Sequence, residues 1–160
     1  MQKAAAKFGA SFRTIPAPLY IINDSTRATL KEEPALVPAF TTMAKMDLLF
    51  AGVGTLASVD SIPLWRNHRS EILGNIEPDD VAGMLYGRPY DIYGHILNTG
   101  HDKLFGSSLD VILTVPHRFA IVKSKFKGRA LLGAIRGGLL TDFVTNESVA
   151  NRVLLEMDRS

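Results

Sequence analysis

Three lysines, Lys123, Lys125 and Lys127, crowd one turn of this 160-residue chain, where an apolar run ends and a helical pattern begins. The amides of a helix's first turn lack intrahelical partners and the macrodipole is positive there, so a cation is disfavoured by roughly 0.3–1 kcal/mol. Ammonium and amide groups gathered at such a place make a seat for a phosphate or a carboxylate. The same three residues also suit a solvated surface turn. A second turn, Gly52-Val53-Gly54-Thr55, follows the apolar run Met46-Asp-Leu-Leu-Phe-Ala51. Glycine lets a ligand approach the backbone closely, and open α/β sheets bind ligands at the carboxyl ends of their strands. Most Gly-x-Gly turns, though, are simply tight turns. Arg66 is a further phosphate candidate, in a polar stretch with Trp65, His68 and Arg69. Trp65 itself is expected to pack.

These turns need strands and helices to hold them. Phe119 to Val122 is a short apolar run of the kind a parallel sheet buries on both faces. Leu131, Ala134, Ile135 and Gly138 follow at helical spacing, with Gly137-Gly138 as the stop. Leu139 to Val144 returns as a strand, and Val149, Ala150, Val153, Leu154 and Met157 form one face of a closing helix. The pattern is βαβα. Upstream, a helix over Gln2 to Phe8 ends at Gly9, and Leu19 to Ile22 forms a strand behind two prolines. Cap residues open a helix over Asn23 to Glu32, and another from Pro34 carries Leu36, Val37 and Phe40 on its apolar side. Met46 to Ala51 reads as the clearest buried strand. Leu56 to Gly74 is irregular, a loop with a short helix. Glu77-Pro-Asp-Asp opens a helix that runs to Tyr86, acidic residues first.

Composition narrows the class. The chain is 46% hydrophobic and 21% charged, enough for a single soluble domain with a sizeable core. Its net charge of +2 does not by itself imply nucleic-acid binding. The absence of cysteine excludes disulfides, thiolate metal sites and a cysteine nucleophile, and fits a cytoplasmic protein. No apolar run reaches transmembrane length, and the N-terminus lacks a signal-peptide core. His95, His101 and His117 lack metal-ligand spacing and a partner carboxylate cluster, so no metal or other cofactor is expected.

Several separated segments carry a resemblance. Lys127, then Ala130-Leu-Leu-Gly-Ala-Ile-Arg-Gly-Gly, then Val144-Thr-Asn-Glu-Ser-Val-Ala, resembles the end of the sugar-binding effector domain of SorC/DeoR-type bacterial transcriptional regulators. Ile15-Pro-Ala-Pro-Leu-Tyr is similar to the family's Ala-Pro-Leu-Tyr signature. Asp47-Leu-Leu-Phe-Ala-Gly-Val-Gly-Thr is similar to its Asp-Leu-Ala-Leu-x-Gly-Ile-Gly-Ser. Gly87 to Gly94 corresponds to Gly-Ala-Val-Gly-Asp-Ile-x-Gly, with Asp91 matching and Arg88, Pro89 and Tyr90 departing. Lys123-Ser124 stands where the family has Gly-Gly, and Asn146 where it has Asp.

The resemblance spans Ile15 to Leu155. It implies an α/β fold like that of phosphosugar isomerases and CoA transferases, a mainly parallel sheet with helices on both faces. Neither the family's helix-turn-helix nor its first βα unit is recognisable, so residues 1–160 are expected to be a single, partial, N-terminally truncated effector domain. The implied ligand is a phosphorylated sugar or related metabolite. Lys127 would meet its phosphate, Gly52, Val53, Gly54 and Thr55 would offer amides and a hydroxyl, and Asp91 would accept sugar hydroxyls or else cap its own turn. DNA would be reached only through a helix-turn-helix outside the chain, no membrane is involved, and homo-oligomerisation is expected. The rivals are a phosphosugar isomerase or lactonase, with Asp91 or Glu147 as base, and a degenerate remnant that binds nothing.

Overall fold

A computed structural model describes residues 2–158. Helix α1 (Gln2–Lys7) leads into an extended proline-containing arm, then α2 (Asp24–Lys31) and α3 (Val37–Met43). Strand β1 (Leu48–Ala51) is followed by three short helices, α4 (Leu56–Asp60), α5 (Pro63–Asn67) and α6 (Arg69–Leu73). A hairpin of β2 (Gly83–Leu85) and β3 (Arg88–Tyr90) comes next, then α7 (Leu109–Thr114). Strand β4 (His117–Val122), α8 (Gly128–Arg136), β5 (Asp142–Thr145) and α9 (Glu147–Met157) complete the chain.

The fold is mixed α/β. Strands β1, β4 and β5 form a parallel sheet in the order β1-β4-β5, while β2 and β3 pair antiparallel. Ala120 and Val122 of β4 lie in one core with Leu131 and Ala134 of α8, Val149 of α9, and Tyr90. A second core gathers Tyr20, Val59, Ile72, Leu73, Met84 and Leu104 under the short helices. Trp65 packs against it, its ring edge-on to Tyr20 at 5.2 Å.

Local chemistry explains the boundaries. Asn23 caps α2 by accepting from the Thr26 amide, and Asn146 caps α9 by accepting from that of Val149. Gly138 ends α8 with a left-handed φ of +61°. The hairpin turns through Tyr86 (φ +55°) and Gly87 (φ +74°), both in the left-handed region that a two-residue type I′ turn requires. Tyr86 is held there by its hydroxyl, which donates to the Leu139 carbonyl at 2.7 Å.

The buried Tyr90 fixes the hairpin against α8, its hydroxyl donating to the Ala130 carbonyl at 2.8 Å. Arg88 is buried and fully engaged. It pairs with Asp102 at 2.6 Å and donates to the carbonyls of Tyr86 and Ser107. These contacts account for two departures from the family pattern as packing and pairing.

Several local expectations give way to tertiary contacts. Leu19 to Ile22 is not a strand; Tyr20 makes a single bridge to Leu104. The segment from Glu77 to Tyr86 forms one 3₁₀ turn, Pro78–Asp80, and then β2, because pairing with β3 and with Gly54 outcompetes a helix whose only support is local. The stretch after Leu56 is helical in three pieces. Burial is also one-sided: Leu48, Phe50 and Ile121 are exposed, so neither β1 nor β4 is sealed on both faces among the described residues. On α9, Val149 is buried but Leu154 and Met157 are exposed, and Val37 on α3 is exposed while Ala39 is buried.

Candidate functional site

Strands β1 and β4 are parallel neighbours with Ala51 beside Ala120. The turns that leave them, Gly52 to Thr55 and Lys123 to Lys127, therefore emerge at the same, carboxyl, end of the sheet. Gly52 is exposed there, whereas Val53 plugs into the core. Gly54 is tied to Met84 of the hairpin, its amide donating to the Met84 carbonyl at 2.8 Å and its carbonyl accepting from the Met84 amide at 3.0 Å. The Thr55 amide donates to the Ser58 hydroxyl as α4 begins. Two of the four amides in this turn are thus already engaged within the protein.

The basic turn is a 3₁₀ segment, Lys125–Lys127, running into α8 with Lys127 as the residue before its first turn. The Lys127 amide donates to the Ser124 carbonyl, while its half-buried side chain forms no ion pair among the described residues. Ser124 has a φ of −90°, and Lys123 is not among the residues with positive φ, so the turn carries no strain from lacking the family's two glycines. Asn146 donates through its side-chain amide to the Lys123 carbonyl at 3.1 Å, anchoring the turn to α9.

A depression of about 500 Å³ borders the same turn on its α9 side, lined by Lys125, Phe126, Arg129, Arg152 and Glu156. Arg152 pairs with Glu156 at 2.6 Å, and the Lys125 ammonium lies over the exposed Phe126 ring at 5.6 Å. Arg152 reaches the start of α8 because Gly128 has no side chain; a Cβ there would stand 2.4 Å from Arg152 Cγ. The sequence gives no signal for Arg152, which is distant in the chain and sits on a helix whose apolar side drew attention.

Asp91 lies elsewhere along α8. Its carbonyl oxygen would be 2.6 Å from a Cβ on Gly133, five residues into the helix, or about 8 Å along the axis from Gly128. Both carboxylate oxygens already have partners. Oδ1 accepts from the amides of Tyr93 and His95, and Oδ2 meets His95 Nδ1 at 3.0 Å. Burial alone would raise the Asp91 pKa, but the amide and ring of His95 and the Tyr93 amide outweigh it and hold the carboxyl below its ordinary 3.8. Of the two roles open to Asp91, turn capping is the one visible in its contacts. His95 and His117 each sit on one carboxylate, Asp91 and Asp142, a pairing that spacing in the sequence did not suggest.

Arg66 lines a different depression, of about 450 Å³, with Asp60, Asn67, Arg69 and Ser70. None of the other candidate residues shares it. Among the described residues no group of three or more His, Asp and Glu is placed to hold a metal, and no helix is long and apolar enough to cross a membrane.

Comparison with known proteins adds a further finding. The profile of the Sugar-bind family, described as "Putative sugar-binding domain", matches residues 1–155. The transcriptional regulator LsrR of Escherichia coli (strain K12) is 26% identical over 148 residues, which is 90% of this chain and 47% of LsrR. The probable sor operon regulator of Shigella flexneri superposes with a TM-score of 0.74 at 24% identity, over 96% of this chain and 60% of that one. The full-length sorbitol operon regulator SorC of Klebsiella pneumoniae gives 0.73 at 22%, over 96% and 50%. At such identities these structures share the fold. The chain spans about half the length of the curated relatives it matches.

Proposed function

The chain belongs to the Sugar-bind family, the sugar-binding domains of SorC/DeoR-type transcriptional regulators, and from that premise we propose that it senses a phosphorylated sugar or related metabolite as the effector of such a regulator. The observation that carries the proposal is the emergence of Gly52–Thr55 and Lys123–Lys127 from neighbouring parallel strands at one end of the sheet. Lys127 takes the phosphate charge, with Lys123 and Lys125 adding to the local positive field. Gly52 offers exposed backbone, Val53 anchors its turn in the core, Gly54 fixes that turn to the hairpin, and Thr55 contributes a hydroxyl. Of the Asp91 carboxylate, Oδ2, already shared with His95, is the oxygen offered to a sugar hydroxyl in this reading. The proposal stands without Arg66.

The curated relatives reported above are regulators, not enzymes, and the role proposed here is binding without turnover. DNA contact falls to a helix-turn-helix domain of the regulator, and the chain acts in the cytoplasm as a homo-oligomer. Calorimetry with paired phosphorylated and unphosphorylated sugars tests the ligand class. Lys127→Ala is expected to weaken the phosphorylated member more, since a charge-assisted hydrogen bond is worth about 1.5–3 kcal/mol. Equal losses for both members would remove the phosphate role from Lys127.

A second reading, a remnant that binds no effector, is favoured by the internal engagement of the Gly54 and Thr55 amides and of both Asp91 oxygens. The absence of heat across the whole sugar panel with the unmodified chain would establish it.

A further inference from the structure

Gly128 opens α8 at a φ of −57°, an ordinary helical value, so its conformation does not call for glycine. Its surroundings do. A Cβ at this position would overlap Cγ of Arg152 and press on its Cβ, so the bare backbone is what lets the Arg152 stem lie against the start of α8. The guanidinium that this close approach delivers lines the depression of about 500 Å³, together with Lys125, Phe126, Arg129 and Glu156. Arg152 is tethered to Glu156 at 2.6 Å, and Arg129 to the Asp79 carbonyl at 3.2 Å. A guanidinium carries five N–H donors, so neither tether exhausts its arginine.

We propose that this depression is a second anion site, apart from the effector turn, and that it takes the phosphate group of a small metabolite. The site is independent of the effector reading, because Lys127 is not in its lining. Charge is the first argument. Lys125, Arg129 and Arg152 face one carboxylate, that of Glu156, which Arg152 already holds, and two positive charges are left over at the walls. An oxyanion bearing two charges offsets them, and a planar guanidinium matches its oxygens in pairs.

Build and size are the second. The two arginines come from the first turn of α8 and the middle of α9, and each is fixed at its head by a protein acceptor, so less side-chain freedom is lost on binding. The volume falls within the range of small-ligand pockets. Phe126 is the one apolar side chain among the five, with the Lys125 ammonium over its ring at 5.6 Å. The core of a protein–protein contact is apolar and poor in charge, so a lining of four charged groups to one ring suits a small polar anion better than a polypeptide.

The test titrates the isotope-labelled 160-residue chain with inorganic phosphate at constant ionic strength, with chloride as the reference anion, by nuclear magnetic resonance. The side-chain Nε–H signals of Arg129 and Arg152 report. Both are expected to move along one saturation curve with phosphate, in the unmodified chain and in Lys127→Ala alike. Arg152→Gln should raise the midpoint of the Arg129 curve several-fold. Gly128→Ala should do the same while keeping every charge, since it displaces Arg152, and circular dichroism checks the fold of each variant. Signals that move no more with phosphate than with chloride would overturn the site. Saturation lost in Lys127→Ala would overturn it too, and would return the anion to the effector turn. A Gly128→Ala chain that binds as its parent does would overturn the built geometry and leave only a diffuse positive field.

Discussion

The side-chain amide of Asn146 bridges two elements: its nitrogen donates to the Lys123 carbonyl at 3.1 Å, while its oxygen accepts from the Val149 amide at 3.1 Å and caps α9. An aspartate, which the family pattern has at this place, can make the second bond but not the first. The departures at Asn146 and at Lys123-Ser124 thus read as a matched pair, in which a side-chain donor steadies a turn that contains no glycine.

Substitutions at Asn146 should separate the two bonds. Asn146→Asp keeps the cap and loses the bridge, at about 0.5–1.5 kcal/mol. Asn146→Ala loses the cap as well, a further 0.5–2 kcal/mol or so. Urea denaturation of the three proteins checks the order; an Asp variant as stable as the parent would show that the bridge contributes nothing.

Removing the Asp102 carboxylate should be among the more damaging single changes. It leaves the Arg88 guanidinium buried without its counter-charge, and breaking such a pair costs about 3–5 kcal/mol, with the lower end expected because the Asp102 side chain is 31% exposed. Replacing both residues together by apolar ones of similar size should restore much of the loss. Thermal denaturation of Asp102→Ala beside the double variant makes the comparison.

Acid should loosen the Asp91 turn. The Asp91 carboxyl titrates below its ordinary 3.8 when folded, so its contribution to stability is present above that value and is lost as pH falls through the lower, folded one. Asp91→Asn should therefore flatten part of the acid limb of a stability profile. If Asp91→Asn also leaves sugar binding unchanged, its role is capping alone.

At the alkaline end the tyrosines set the limit. Burial pushes the Tyr20 and Tyr86 hydroxyls up to about 12, offset in part by Arg88 near Tyr20 and Arg118 near Tyr86, and burial raises Tyr90 as well. A raised folded pKa means stability present below the ordinary 10.0 and lost as pH rises through about 12. Phenolate absorbance from these three should appear together with loss of circular dichroism. Ionisation of all three without unfolding would contradict the hydrogen bonds that these hydroxyls donate to the Gly87, Leu139 and Ala130 carbonyls.

What could be read from the sequence followed the range of the forces involved. The α2 cap, the glycine stop of α8 and the two turns at the strand ends are each specified within a few residues, and each could be read in advance; the Asn146 cap of α9 is equally local but went unread. The site beyond those turns could not. Asp91 is carried away from Lys127 by contacts of Gly94 and Gly133 with their neighbours, and backbone-to-backbone packing of that kind leaves no periodic trace. The Glu77 segment failed for a related reason, since acidic residues behind a proline signal a helix start whether or not Gly54 waits across a gap to pair with Met84.

The hairpin touches both turn-bearing elements, through Met84 to Gly54 and through the Tyr90 hydroxyl to Ala130 in the first turn of α8. It works as a strut. Neither the glycine turn nor the base of α8 can drift from the hairpin without breaking one of these bonds, so their amide protons should exchange with solvent as a single cooperative group. A ligand gripping one turn would slow exchange at the other, even with no atom of the ligand nearby.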